Sequence, residues 1–254
     1  MIENNNQNIS IEYLDEIDST NEEAKRRVLK GINEDFALVA SCQTAGKGRK
    51  GRSFYSPKNT GLYLTYTHLT DNKLEDNLRV TVASSVIVRR AIQKVLNIDC
   101  GIKWVNDLYY KNKKICGILC EAMLKDSFNI DHNAIIVGIG INLSTNDFPE
   151  DISNKAGALL YGSSEIIDNI RQNIAKEIVS GLKEYFKYND LFQYMDEYRQ
   201  SSIVIGKKVK LNDAGGEFAE GIVEGFTDSG EMILLDDNKG RIIVDSGEIS
   251  LIIV

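Results

Sequence analysis

The sequence has two prolines, two histidines, one tryptophan and four cysteines in 254 residues, and no long apolar run. Each shortage excludes something. With His68 and His132 as the only imidazoles, a histidine-rich zinc site is not expected. Cys42, Cys100, Cys116 and Cys120 show no CxxC spacing, and Cys116 and Cys120 lie inside an apolar run that suits a buried strand better than a metal. No stretch reaches the roughly eighteen uninterrupted apolar residues of a membrane span. The N-terminal MIENNNQNIS is polar, without the apolar centre of a signal peptide. Reduced thiols in the cytoplasm are the simplest reading, with no membrane partner. Positive charge is also short: 30 Lys and Arg against 37 Asp and Glu leave −7, a poor balance for sequence-independent binding to nucleic acid.

What is present reads as an ordered succession of elements. IEYLDEI (11–17) alternates as a strand. Ser19 and Thr20 stand before Glu22 and Glu23 at capping-box spacing, which predicts a short helix to about Gly31. FALVASCQ (36–43) is a buried strand, LYLTYTHL (62–69) alternates at period two, and 78–97 has the apolar spacing of a core helix. GIKW, DLYY, ICGILCEAML and AIIVGIGINL follow as strands, with a hairpin turn between Tyr110 and Ile115. Helices are expected around 163–187 and 190–200. Without strict strand–helix alternation, this is an α+β chain with a largely antiparallel or mixed sheet. After about Ile203 the pattern changes to short β runs divided by Gly, Asp and Asn turns, a small all-β barrel. That stretch carries five Lys and Arg against ten Asp and Glu, so most of the excess acid lies there. The expected division is 1–202 and 203–254.

The most informative segment is Thr44 to Ser53. Gly46, Gly48 and Gly51 alternate with Lys47, Arg49, Lys50 and Arg52, and no acid lies within the stretch. Glycine permits close backbone approach, the cations supply charge for an anion, and backbone N–H groups can line a nest. The loop has no apolar anchor and is expected to be mobile until a polyanion orders it. A solvated surface loop or a nucleic-acid contact is the alternative, but the glycine spacing after a buried strand favours phosphate. A P-loop is excluded: Arg52 stands where its lysine is required, and no helix signal follows. GIGIN (138–142) lacks the third glycine of a dinucleotide fingerprint.

Two further segments carry polar groups into apolar surroundings. Lys103 to Leu108 holds the single Trp beside Asn106 and Asp107, and leads to Lys114 at the start of an apolar strand. A lysine entering a buried strand is costly unless it meets an anion. The alternative is that Lys114 snorkels to solvent while Asp107 caps a turn. Gly138, Gly140 and Asn142 end another apolar strand, where the alternative is a bulge or turn; Asn142 could equally read an amide or a purine edge.

Taken in order, these segments resemble the biotin protein ligases. Members carry a loop of the form GRGRxGR, matched by GKGRKGR (46–52), and a KWPNDL matched by KWVNDL (103–108). A lysine and GIL.E follow, matched by Lys114 and GILCE (117–121), then G.GIN, matched by GIGIN (138–142). The family's STN and Q-x-x-G correspond to Ser19, Thr20 and Asn21 and to Gln43 and Gly46. A terminal β module with GEISL (247–251) completes a match running from about residue 11 to the C-terminus. Three positions depart. Lys47 replaces an arginine, keeping charge but losing the bidentate fork. Val105 replaces a proline, and Phe54 stands where the aromatic is usually Trp.

The resemblance implies a class II synthetase-like catalytic domain with a mixed sheet, akin to lipoate ligases, followed by an SH3-like β-barrel domain. Longer members add an N-terminal helix-turn-helix; this match begins almost at Met1, so no operator binding is expected. The implied enzyme, a biotin–[biotin carboxyl-carrier protein] ligase, uses ATP, biotin and Mg²⁺ and acts on a biotin carboxyl carrier domain, as monomer or homodimer. Lys114 and Arg49 are the implied catalytic residues. Ser19, Thr20, Asn21, Gln43, Gly46, Lys47, Arg49, Lys114, Gly117 and Gly138 are the biotin side. Arg49, Lys50, Arg52, Phe54, Lys103, Asn106 and Asn142 are the ATP and adenylate side, and Asp107 helps hold the metal. The competing readings are a lipoate or octanoate ligase, whose own motifs are not visible, and a non-catalytic biotin-binding module.

Overall fold

The alternation of side chains along one strand, Asn133–Asn142, divides the molecule into two faces. Ile135, Val137, Ile139 and Ile141 point into the main apolar core. Ala134 and Ile136 point the other way, into a small second core with Ala24, Val28 and Leu38. Gly138, Gly140 and Asn142 continue along that second face, where nothing larger than hydrogen stands on the two glycines.

The computed structural model describes residues 10–74, 76–160, 164–213, 216–245 and 250–253. The first nine residues and positions 247–249 of the GEISL motif lie outside them. The strands are β1 (Ile11–Ile17), β2 (Phe36–Gln43), β3 (Gly61–Thr70), β4 (Gly101–Lys103), β5 (Asp107–Tyr110), β6 (Lys113–Met123) and β7 (Asn133–Asn142). They form one sheet in the order β1-β2-β3-β7-β6-β5-β4. β1 pairs with β2 in parallel, and the other neighbours are antiparallel, so the sheet is mixed. Helix α1 (Thr20–Leu29) makes the β1-to-β2 crossover and covers the second core.

The opposite face is covered by α2 (Asn77–Leu96), α5 (Ser164–Tyr188) and α6 (Phe192–Gln200); α3 (Lys125–Phe128) and α4 (Glu150–Ser153) are single turns that sequence spacing does not reveal. Helix α2 starts where the Asp76 carboxylate accepts the Leu78 N–H at 2.9 Å. It ends at Asn97, held left-handed at φ 55°. Gly181 lets α5 approach α2 closely, since a methyl there would lie 2.7 Å from Ile87. The β5–β6 hairpin turns through Lys111 and Asn112, both at positive φ (48° and 60°), the geometry a two-residue hairpin prefers.

Beyond α6 the chain forms a five-stranded antiparallel sheet in the order β11-β10-β9-β8-β12. Its strands are β8 (Lys208–Asp213), β9 (Gly216–Phe226), β10 (Met232–Asp236), β11 (Gly240–Val244) and β12 (Ser250–Ile253). Val209, Leu211, Val223, Met232 and Leu234 from this sheet belong to the same apolar cluster as Trp104, Ile102 and α2. The indole N–H of Trp104 donates to the Gly230 carbonyl at 3.0 Å, and Ile203 N–H donates to Ile102 O at 3.0 Å. Among the described residues, no helix is long and apolar enough to cross a membrane.

Candidate active site

The site is built on the glycine end of β7. Gly138 and Gly140 sit in regular strand, paired with Thr65 and Tyr63 of β3 and with Leu119 and Gly117 of β6. The bulge or turn considered from sequence is not formed. The reason for glycine is close approach. A methyl on Gly138 would lie 2.2 Å from Asn21 Oδ1, and one on Gly140 would lie 2.4 Å from the Phe54 ring. The Phe54 ring therefore packs against the sheet floor, within reach of Gly117 as well.

The start of α1 supplies one wall. Ser19, Thr20 and Asn21 are all buried. Gln43 Oε1 accepts the Thr20 N–H at 2.8 Å and its hydroxyl at 3.0 Å, while Gln43 Nε2 donates to Ser56 Oγ at 2.9 Å. The Thr65 hydroxyl donates to Asn21 Oδ1 at 2.6 Å and lies 2.8 Å from Thr20 Oγ1. Asn21 Nδ2 in turn donates to Glu121 Oε2 at 2.8 Å. Thr65, Ser56 and Glu121 extend the set of residues read from sequence. Thr65 was legible as the polar member of an alternating strand; the partnership of Asn21 with Glu121, a hundred residues on, was not. The capping box is corrected: Ser19 is the N-cap but makes no side-chain cap bond. Glu23 instead pairs with Arg26 and Arg27, and Glu22 with lysines.

The basic loop is a hairpin, with Phe54 N–H donating to Gly46 O at 2.8 Å and Gly48 N–H to Arg52 O at 2.7 Å. The tip is a single turn at Arg49–Gly51, with Lys50 at φ 58° and Gly51 at φ 71°. Lys50 and Arg52 are exposed, Arg49 points inward, and Gly46 is buried. Lys47, which has no acid near it in sequence, meets Glu22 of α1 at 2.8 Å. Arg49 Nη1 donates to Asn106 Oδ1 at 3.2 Å. Burial lowers the pKa of Arg49, against the opposing pull of Asp107.

The second wall comes from β4 to β6. Lys114 Nζ lies 2.7 Å from Asp107 Oδ1, a close ion pair rather than an aligned hydrogen bond. Lys103 is the register partner of Asp107, and its ammonium stands 5.5 Å from the Tyr109 ring centroid. Burial lowers the Lys103 pKa, and Asp107 opposes that shift. Asn106 joins the walls: it accepts from Arg49 and donates to Ile118 O at 2.9 Å. Trp104 is turned away, into the C-terminal sheet, and the Trp104–Val105 peptide is cis. Asn142 holds the loop after α4 through Gly157 O at 3.0 Å, and its buried Oδ1 has no hydrogen-bond partner among the described residues.

Arg49, Lys103 and Lys114 thus converge around one carboxylate, two of them with charge disfavoured by burial. Such a cluster suits a ligand carrying more than one negative charge. Among the described residues no three Cys, His, Asp or Glu side chains are grouped to hold a metal. Asp107 is engaged by Lys114, so its surroundings do not fit a protein-only magnesium site.

Residues 13–142 match the model of the biotin/lipoate A/B protein ligase family, and 204–252 match the biotin protein ligase C-terminal domain. The chain belongs to the biotin/lipoate A/B protein ligase family. The chain is similar to the bifunctional ligase/repressor BirA of Bacillus subtilis, 28% identical over 94% of this chain and 73% of BirA. It is 26% identical to the biotin–[acetyl-CoA-carboxylase] ligase of Mycobacterium tuberculosis, over 91% of this chain and 85% of that one. The structure of the Aquifex aeolicus biotin protein ligase in complex with biotin and ATP superposes with a TM-score of 0.77. It is 30% identical, covering 96% of this chain and 99% of its own. This family member therefore carries the expected catalytic fold with its mixed sheet, followed by a small antiparallel module.

Proposed function

We propose that the chain is an ATP-dependent biotin protein ligase: it makes biotinyl-5′-AMP and passes biotin to a lysine of a biotin carboxyl carrier protein. The convergence of Arg49, Lys103 and Lys114 beside a glycine floor carries this reading, because both reactants of the first step are anions. In that step a biotin carboxylate oxygen attacks the α-phosphorus of ATP, the bond to the β-phosphate breaks, and pyrophosphate leaves. Lys114 stands between the two negative groups, and Arg49, with Lys47, Lys50 and Arg52, closes over the phosphates. Preorganised cations stabilise the charge that gathers on the phosphoryl oxygens. Lys103 and Asn106 support the phosphate side, and Asn142 the adenine side.

The floor residues take the biotin side. Buried Ser19, Thr20, Asn21 and Gly46, with half-buried Gln43, form a wall of hydrogen-bonding groups suited to a ureido ring, while Gly117 and Gly138 leave room beneath it. Phe54 covers the apolar part. In the second step the acceptor lysine's unprotonated amine attacks the acyl carbon, AMP leaves, and an amide forms with loss of a proton to solvent. No nucleophile of the chain is needed; keeping water from the anhydride is the loop's task. Mg²⁺ belongs to this proposal only as the companion of the triphosphate. The assignment of the catalytic and C-terminal units to 1–202 and 203–254 is supported by the two separate sheets.

ATP–pyrophosphate exchange with purified protein, given biotin, lipoate or octanoate separately, tests the reading. Exchange with biotin alone supports it. Exchange with lipoate or octanoate instead moves the chain to the sister activity, and no exchange with any acid leaves a binding module.

A further inference from the structure

Five polar side chains run without a break from the basic loop to the floor. Lys47 Nζ lies 2.8 Å from Glu22 Oε1, and Lys25 Nζ reaches that same oxygen at 2.8 Å. Lys25 also meets Glu121 Oε1 at 2.6 Å, and the other Glu121 oxygen accepts from Asn21 Nδ2 at 2.8 Å. Charges alternate along the first four, so each of these has an opposite neighbour, and the neutral Asn21 amide ends the row. We infer that Glu22 is the latch of this loop, a positioning residue that acts through Lys47 and holds the hairpin against the wall of the site.

Backbone bonds attach the base of the loop, Thr44 N–H to Ile17 O at 2.9 Å and Ala45 N–H to Asp18 O at 2.8 Å, while Gly46 to Ser53 fold on themselves. Beyond that base, side chains reach other elements on both flanks of the hairpin, Arg49 to Asn106 on one and Lys47 to Glu22 on the other. Glu22 is in the first turn of α1, directly after Asn21, so one helical turn fixes both the floor amide and the latch. A carboxylate is also favoured at that end of a helix. The two lysines beside Glu22, Lys25 first and Lys47 second, hold its carboxyl below the usual range.

The departure of residue 47 from arginine fits the same picture. An ammonium makes a point contact through a single carboxylate oxygen, here one that Glu22 also offers to Lys25. A guanidinium fork calls for both oxygens. Lys47 is therefore matched to Glu22 as it stands, and tethers the loop from the place where it also faces the phosphates.

The inference rests on the proposed ligase reading only for its consequence, adenylate retention; the latch itself is testable without ligand. Trypsin cleaves after Arg49, Lys50 and Arg52, so the rate of cutting there reports loop release. Glu22→Gln, Lys47→Met and the double variant are compared with the parent chain. Each single change is expected to speed cutting at 49–52 about two- to fivefold, the range of a partly exposed ion pair. The double variant should be no faster than the faster single one, and raising salt should narrow the gap. Cutting in the Lys111–Lys114 hairpin, unchanged throughout, separates loop release from global unfolding. A chase of bound biotinyl-adenylate should show release faster by a similar factor in Glu22→Gln, and by at least that factor in Lys47→Met, because Lys47 also faces the ligand.

Additive effects, or parent-like cutting in Glu22→Gln, would overturn the latch. Altered cutting with unaltered adenylate release would overturn its consequence, that the latch retains the adenylate. If the parent chain forms no adenylate while the cutting pattern is as expected, the ligase reading falls and the latch stands.

Discussion

Lys114 Nζ lies 2.7 Å from Asp107 Oδ1, while the backbone of Lys114 is tied elsewhere. Its N–H donates to Lys155 O at 2.8 Å, and its carbonyl accepts from Gly157 at 2.9 Å. Position 114 thus has two separable duties: the main chain anchors the loop after α4, and the ammonium serves the site. The apolar strand that follows explains why the ammonium stays there rather than in open solvent, since Ile115 and Cys116 are fully buried.

Lys114→Ala is therefore expected to keep the fold and lose adenylation. Truncation spares both backbone bonds, and removing one preorganised charge contact costs about two to three orders of magnitude in rate. Biotin-dependent pyrophosphate exchange and a thermal melt measure the two duties separately. Near-normal exchange would remove Lys114 from the chemistry. A collapsed melt points to Asp107 left buried without its cation, and Lys114→Ala combined with Asp107→Asn should then recover stability but not activity.

Much of this arrangement was legible in the sequence, because it depends on near neighbours. The apolar run at 36–43 is β2 residue for residue, the lysine-rich turn is the hairpin at Lys111 and Asn112, and helical spacing at 78–97 is α2 within a residue at each end. What was not legible depends on partners far along the chain. Glu22 and Glu23 sit at capping-box spacing, yet Lys47 and Arg26 compete for them and charge pairing wins. Trp104 lies inside a ligand-side motif, but its indole serves a sheet more than a hundred residues away. The resting place of Phe54 is set by missing Cβ atoms on β6 and β7, which a loop reading from local composition does not show.

The Phe54 ring and Gly140 make a second test. A methyl at 140 would stand 2.4 Å from the ring, so the ring must lift from the floor. Overpacking of this kind costs about 1–3 kcal/mol, and in the proposed enzyme it falls on the biotin side. Gly140→Ala should raise KM for biotin by roughly tenfold or more, with a smaller change in KM for ATP. Adding Phe54→Leu should relieve part of the clash and recover part of the affinity. A biotin KM equal to that of the parent would show that the floor beneath Phe54 is not used by biotin.

Acid stability offers a third. The Arg26 guanidinium donates to both Asp18 oxygens, at 2.8 and 2.7 Å, and holds that carboxyl at about 2, below its ordinary 3.8. The folded value is the lower one, so the pair's contribution is complete above about 3.8 and disappears as pH falls through about 2. Both side chains are more than 40% exposed, so the pair contributes under about 1 kcal/mol. Melts of the parent and Asp18→Asn should differ by a constant amount from pH 5 to pH 7 and converge towards pH 2. A gap that persists at low pH would assign the effect to something other than the Arg26 pair.

The last test concerns how the C-terminal sheet is held. Trp104 is buried, and its N–H is the partner of the Gly230 carbonyl at the turn before β10. Trp104→Phe keeps most of the apolar contact and removes the donor, leaving a buried carbonyl unpaired at a cost of about 1–3 kcal/mol. In a domain of this size each kcal/mol lowers Tm by roughly 2–4 °C. Because Val82 and Leu78 of α2 also face Gly230, the loss should be felt locally first, as faster amide exchange in residues 227–236. Lys103, Asn106 and Asp107 are held by their own backbone pairing in β4 to β6, so pyrophosphate exchange should fall less than threefold, well short of the Lys114→Ala effect. Unchanged exchange protection in 227–236 would show that apolar packing alone seats the sheet. A large loss of exchange activity with little loss of stability would mean that Trp104, despite facing away from the glycine floor, controls the geometry of the neighbouring lysine and carboxylate.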